Sequence, residues 1–265
     1  MAVRTPLVSF TLAVKEHGSM EQPIYIKWFP PSWFQIKTGS HIIYIDPACL
    51  KTNFANYSKK IEYSKWPDPI DGLPEELEKA DIILVTHHHK DHCKKVTVNR
   101  LKKEKTKIIA TKQCSKEIGK EITVVKPGME FEMDNIKIRT IEAYNKENEE
   151  KAKLMHKKGM GVGYIITIEG KTIYHAGDTD LISEIEYLEN IDVALLPIGG
   201  RDFTMGLSDA VKAAKKINPK VVVPMHRFES DAEEYKKMVE EGTSIKVESL
   251  DIGETYQLQT AEKAN

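Results

Sequence analysis

The stretch Thr86-His87-His88-His89-Lys90-Asp91-His92 directly follows the apolar run Ala80-Asp81-Ile82-Ile83-Leu84-Val85, and no other part of the chain narrows its fold as far. The apolar run reads as a buried strand, and the polar residues after it as the loop at its end. In an extended segment the side chains at i and i+2 share a side, so His87 and His89 can grip one ion while His88 faces elsewhere. Asp91 and His92 then belong to a second centre. Imidazoles with a carboxylate suit Zn2+ and also admit Mn2+ or Fe2+, and two adjacent clusters suit the activation of water between two metals. Three consecutive histidines can also be an exposed tract that collects metal adventitiously. Here they sit between a strand and a predicted helix, a junction where sites are commonly built.

A chain of 265 residues with 40% hydrophobic residues can bury a large core. Its formal net charge of -1 gives no general pull toward nucleic acid, so a small-molecule substrate is the expected partner. Cys49, Cys93 and Cys114 lie far apart with no C-x-x-C spacing, which fits a reducing cytoplasm better than a disulfide framework. No run reaches the roughly 18 apolar residues that a membrane span needs. Residues 1–20 read as an N-terminal extension with no assigned role, because Met20 precedes the first strong strand; residues 21–265 read as one domain.

Strands are predicted at 24–29, 33–37 and 41–45, separated by Pro30-Pro31 and Thr38-Gly39-Ser40, which makes an antiparallel meander. Asp46-Pro47 ends the third strand, where a carboxylate can hold a histidine ligand by its other nitrogen or simply open a turn. Residues 50–74, polar and aromatic, suit a lid over a cleft or a self-packed surface loop. Beyond the histidines, helices are expected at 93–103, 112–120, 181–188 and 208–217. Strands are expected at 107–110, 122–125, 131–133, 136–142, 162–168, 171–175, 193–196 and 221–223. Two α/β halves facing each other follow from that alternation.

Two further strand ends carry ligand chemistry. Tyr174-His175-Ala176-Gly177-Asp178-Thr179 presents Asp178 as a bridge between two ions, and Val221-Val222-Val223-Pro224-Met225-His226 adds an imidazole, so that Asp91, His92, Asp178 and His226 form a second site. Together with Leu195-Leu196-Pro197-Ile198-Gly199-Gly200 and Met205, these motifs resemble the metallo-β-lactamase superfamily over residues 24–257. The likeness is to its branch of hydrolases related to ascorbate-6-phosphate lactonase and N-acyl-phosphatidylethanolamine phospholipase D. The resemblance implies a four-layer αββα sandwich, with His87, His89 and Asp178 on the first metal and Asp91, His92, Asp178 and His226 on the second. Related lactonases also imply that a homo-oligomer can form.

The chain departs from that family at two places. Pro30-Pro31-Ser32 stands where the family has Gly-His-Ser, which alters one wall of the pocket. Ala143-Tyr144-Asn145 stands where the third histidine of the first metal is expected. Asn145 could ligate only through its carbonyl oxygen, leaving that site weak or hydrated, or His156 in the following polar loop could replace it.

With both sites filled, a metal-activated hydroxide would attack a small, phosphorylated or carboxylated ester, lactone or phosphodiester. Asp91 would orient it, and His226 or Tyr144 would stabilise the developing negative charge. Arg201, Arg227 and lysines of 146–158 would face the anionic group. A nuclease of the same superfamily is one rival, disfavoured by the near-neutral charge and the lack of an aromatic-basic RNA motif. A non-catalytic metal-binding or redox-sensing protein is the other, kept open by Asn145.

Overall fold

The computed structural model describes residues 22–48, 77–147 and 155–259. The proposed extension at 1–20, the lid at 50–74 and Cys49 lie outside the described residues. The first half contains β1 (Ile24–Phe29), β2 (Trp33–Lys37), β3 (Ile42–Ile45), β4 (Ala80–Val85), α1 (Lys95–Leu101), β5 (Lys102–Thr111), α2 (Ser115–Ile118) and β6 (Thr123–Val125). The second contains β7 (Glu130–Met133), β8 (Ile136–Ala143), β9 (Gly161–Ile168), β10 (Lys171–His175), β11 (Val193–Pro197), α3 (Leu207–Ile217), β12 (Val221–Met225), α4 (Ala232–Glu240), β13 (Lys246–Val247) and β14 (Thr255–Leu258).

Two seven-stranded sheets result, in the orders β14-β1-β2-β3-β4-β5-β6 and β13-β12-β11-β10-β9-β8-β7. The meander of β1, β2 and β3 is antiparallel, and β4, β5 and β6 add in parallel through α1 and α2. The central strands β3 and β4 are largely apolar on both faces because both are covered. In β4, Ile82 and Leu84 point into the core between the sheets, and Ile83 and Val85 pack with Val98 and Leu101 of α1. The same two-residue alternation puts Ile43 and Ile45 of β3 inward and Tyr44 outward. On the far side α3 turns Ala210, Ala213, Ala214 and Ile217 toward the second sheet, and α4 adds Tyr235 and Val239. The architecture is therefore the αββα sandwich expected.

Several elements differ in detail from the sequence reading. The helix expected at 112–120 is a 3-10 turn, Lys112–Cys114, followed by a single α-turn that stops at Gly119, whose φ is 96°. The helix expected at 181–188 is a 3-10 segment, Ser183–Tyr187. Helix α4 went unpredicted because Arg227-Phe228-Glu229-Ser230 obscures its start; Asp231 caps it, accepting from Glu233 N at 2.8 Å. The Gly159–Gly163 stretch, read as flexible, already belongs to β9 from Gly161, which pairs with Ala143, while Gly163 pairs with Ile141. Among the described residues no helix is long and apolar enough to cross a membrane.

Among the described residues, one buried tyrosine links the two sheets near the histidine loop. Tyr164 of β9 shares its one hydroxyl proton between Val85 O at 3.0 Å and Ile109 O at 3.2 Å, both in the opposite sheet. Its ring is fully buried. Tyr164→Phe keeps the ring and removes this link. It is expected to lower unfolding free energy by about 1–2 kcal/mol in urea titrations; an unchanged midpoint would show that the two carbonyls need no such donor.

Candidate metal centre

After Val85 the chain leaves β4 and turns, with His92 N and Cys93 N both donating to His89 O at 3.0 and 2.8 Å. That turn separates the histidines into two groups. His88 is exposed, whereas His87 and His92 are buried.

The first group is His87, His89 and His156. His87 Nε2 lies 3.1 Å from His89 Nδ1, and His156 Nε2 lies 3.2 and 3.0 Å from those two atoms. Zn–N bonds of about 2.0–2.1 Å in a tetrahedron put ligand nitrogens about 3.3 Å apart, so this triangle is close to one tetrahedral face. The second group is Asp91, His92, Asp178 and His226. Asp178 Oδ1 lies 3.2 Å from His92 Nε2, and Oδ2 lies 3.3 Å from His226 Nε2 and 3.4 Å from His156 Nε2. One carboxylate thus faces both groups. Asp91 Oδ2 is 3.4 Å from His226 Nε2, and its side chain is the one in this second group with substantial solvent access, at 23%.

Asp46, expected to hold a histidine or open a turn, is placed for both: Ala48 N donates to its main-chain oxygen at 2.7 Å while its side chain faces His92. Its carboxylate accepts from Thr86 N, Thr86 Oγ1 and His92 Nδ1, each at 2.7 Å. The Thr86 hydroxyl spends its one proton on Asp46, so at 2.9 Å it must accept from His87 Nδ1. Both imidazoles therefore carry a proton on Nδ1, which leaves Nε2 of His87 free for its group. Asn145 touches His156, with Oδ1 accepting from His156 N and Nδ1, both at 3.0 Å.

Backbone strain collects here. Asp46 and His226 both have φ of 47°, uncommon for residues with a Cβ. Gly177 has φ of 65°, and a Cβ there would meet Val162 O at 3.0 Å and Thr86 at 3.3 Å. At Gly199 a Cβ would collide with His226 O and the Phe228 ring. His175, which the sequence left without a role, braces this turn: its ring donates to Ser32 O at 2.9 Å and accepts from Gly177 N at 3.2 Å. Thr179 and Asp180 were also missed. Nothing in D-T-D distinguishes them from ordinary turn residues until the fold brings Tyr144 and Asn145 alongside.

The groups expected to read substrate are placed differently. Tyr144 donates its hydroxyl to Glu184 at 3.2 Å, with Lys158 4.8 Å above its ring. Arg227 is built into the protein: it donates to Pro224 O and Leu250 O at 3.1 and 2.9 Å and lies over Trp28. Burial pushes its guanidinium down to about 10. Arg201 pairs with Glu229 and covers the Phe228 ring, whose centroid lies 4.7 Å from that of His226. Pro30 and Pro31 line a cavity of about 370 Å³ that reaches His226 and Phe228.

The two groups differ in charge. Burial, and then the neighbouring His92 and His156, hold His87 well below the ordinary imidazole range; burial takes His89 to about 4 and lowers His156. Burial opposes charge on His92 and His226 too, but Asp178 with Asp46 and Asp91 outweighs it, raising His92 strongly and His226 to about 9. Burial would raise Asp178, but His226 and His92 keep it well below the usual carboxylate range. The first group is three neutral bases, the second an ionic cluster.

A family model described as the Beta-lactamase superfamily domain matches residues 25–226. A UPF0173 metal-dependent hydrolase of Pyrococcus abyssi is 37% identical over 198 residues, covering 70% of this chain and 84% of the relative. One from Methanopyrus kandleri is 31% identical over 248 residues, covering 88% and 99%. Among solved structures, a metal-dependent hydrolase from Parabacteroides distasonis superposes with a TM-score of 0.69 at 30% identity, covering 87% of this chain and 94% of that one.

The charge pattern sets the stability of the metal-free protein. Below the imidazole reference of about 6.5, the unfolded chain binds protons that folded His87, His89 and His156 refuse, so stability falls with falling pH. For His226, raised to about 9, the contribution is full below 6.5 and is lost as pH climbs through 9. Chelator-treated protein should therefore show a thermal midpoint that peaks near pH 6.5, with a shallower alkaline decline in His226→Gln. A midpoint that stays level from pH 6.5 to 9 would contradict the ionic cluster.

Proposed function

Because the chain belongs to the β-lactamase superfamily and is a metal-dependent hydrolase, we propose that it holds two ions side by side to hydrolyse a small ester, lactone or phosphodiester. The position of Asp178 carries this reading: its two oxygens lie 3.2 to 3.4 Å from nitrogens of both histidine groups. The residues present fit metal. His92 Nε2, Asp178 Oδ1 and both nitrogens of His226 are buried with no hydrogen-bond partner, although His92 and Asp178 lie 3.2 Å apart. Buried polar atoms are rarely left so, and atoms that converge without aligning on each other suit a common ion.

His87, His89, His156 and Asp178 would hold the first ion, and Asp91, His92, Asp178 and His226 the second. This donor set of imidazole and carboxylate favours Zn2+, with Mn2+ or Fe2+ as substitutes. His156 fills the gap that kept a non-catalytic reading open. The ions would supply Lewis acidity and lower the pKa of a water they hold to about 7. Asp91, the accessible carboxylate, would orient that water. His226, set by its φ of 47° between Asp91 and Asp178, would steady developing negative charge. Arg201, its side chain 51% exposed above Phe228, would have to leave Glu229 to meet a phosphoryl or carboxyl group on the substrate. Cys93 and Cys114 are buried free thiols, which suits a cytoplasmic enzyme.

Plasma mass spectrometry after zinc reconstitution should find about two ions per wild-type chain and one or fewer in Asp178→Ala. Asp91→Asn should keep the fold and lose about a hundredfold or more in kcat on whichever ester or phosphodiester the wild type turns over. A wild type that takes up a single ion, unaffected by Asp178→Ala, would sink the binuclear reading.

A further inference from the structure

Asn145 does not point its amide at the histidines as a ligand would. Its side chain is 2% exposed and every hydrogen-bonding direction of the amide has a partner. The amide nitrogen donates to Phe203 O at 2.9 Å and to Asp180 Oδ1 at 3.2 Å. Both partners can only accept, so the amide cannot turn over without facing oxygen toward oxygen. Its carbonyl oxygen is thereby fixed toward His156, where it accepts from the main-chain N–H, necessarily a donor, and from the ring at 3.0 Å each. Asn145 N donates in turn to His156 O at 2.8 Å, so the two residues clasp each other by main chain as well as side chain.

The ring nitrogen facing Asn145 is Nδ1. With an oxygen locked opposite it, Nδ1 must hold the proton, and Nε2 is the bare nitrogen 3.0 Å from His89 Nδ1 and 3.2 Å from His87 Nε2. Asp180 secures the arrangement from behind: Oδ2 accepts from Lys146 N at 2.8 Å, and Asp180 N donates to Tyr144 O at 2.9 Å. Thr179 adds a contact from its hydroxyl to Tyr144 at 3.2 Å. The strand-end segment that carries Asp178 therefore also holds the asparagine that orients His156.

We propose that Asn145, braced by Asp180 and the Phe203 carbonyl, is a positioning residue that presents His156 Nε2 to the first metal ion by fixing its tautomer and ring orientation. The inference rests on the binuclear reading above, with His156 as a first-ion ligand. A carboxamide here does for His156 what Asp46 and Thr86 do for His92 and His87, so the outer contacts of three ligands come from three different side chains.

The test pairs zinc titration with the nitrogen-15 signals of His156 in the full-length protein. In metal-free wild type, Nδ1 should carry the proton, and a proton on Nε2 would overturn the proposal without any variant. Asn145→Ala should weaken the first zinc by about ten- to a hundredfold, leave the second unchanged and mix the His156 tautomers. Asn145→Asp, which keeps the acceptor toward His156 but sets its second oxygen against Phe203 O and Asp180 Oδ1, should retain the Nδ1 proton that Asn145→Ala loses while still weakening the first zinc. Unchanged zinc affinity and tautomer in Asn145→Ala, with His156→Ala losing one ion, would overturn the positioning role alone. If His156→Ala keeps both ions at wild-type affinity, the ligand reading beneath it fails instead.

Discussion

The structure of the site depends on one buried carboxylate. Asp46 sits at the end of β3 and receives three hydrogen bonds, two from Thr86 and one from His92. The pair to Thr86 closes the gap between adjacent parallel strands where their ladder stops, so the loop that carries five histidine-motif residues leaves β4 at a fixed angle. The third orients His92, and through the Thr86 hydroxyl the same carboxylate orients His87. Without it, two imidazoles in two groups would each be free to place a proton where the proposed ions need a lone pair. A fully buried carboxylate at φ of 47° is costly in isolation; it persists because these donors over-determine it.

Much of this was legible in the sequence because strand ends are legible. The run Ile82 to Val85 can only be a buried strand, the histidines follow at once, and Ala176-Gly177-Asp178 and Pro224-Met225-His226 repeat that grammar in the second half. Since parallel strands in one sheet put their C-terminal ends on one edge, residues at those ends meet. The αββα sandwich follows from two such halves, whose central strands are apolar on both faces. Short helices were legible only as amphipathic stretches, which is why Lys112 to Ile118 and Ser183 to Tyr187 were drawn too long. Arg227 shows another limit: a cation beside a site histidine reads as a substrate contact, and only the fold reveals Pro224 O, Leu250 O and the Trp28 ring around it.

His156 marks where reading stops and folding begins. A ligand on a strand end is placed by periodicity, but one at the far side of a loop is placed by contacts that have no sequence spacing. His156 stands eleven residues beyond Asn145, and the bonds that return it involve Asp180 and Phe203, from two other segments. The sequence could name it as a substitute for the missing histidine and no more. Asn145 was harder still, since an amide at a ligand position reads as a poor ligand; that its nitrogen is held by two acceptors, leaving the oxygen no other direction, is visible only in three dimensions.

The two groups of residues share Asp178 but are electrostatically unlike, and this asymmetry constrains how a binuclear centre would assemble. His87, His89 and His156 are held neutral by burial, so an ion entering there meets lone pairs and displaces no imidazole protons. His92 and His226 are held protonated by the carboxylates around them, so an ion entering there must expel protons that the folded protein favours until about pH 9 at His226. The carboxylates that make the second group attractive to a cation are also what stabilises its protons, and the two compete for the same nitrogens. A first ion would change that competition. Its charge would weaken the pull of Asp178 on the His226 proton, since Asp178 Oδ2 lies 3.4 Å from His156 on one side and 3.3 Å from His226 on the other. Filling the neutral group would therefore prepare the ionic one, with Asp178, which faces both, as the link between them.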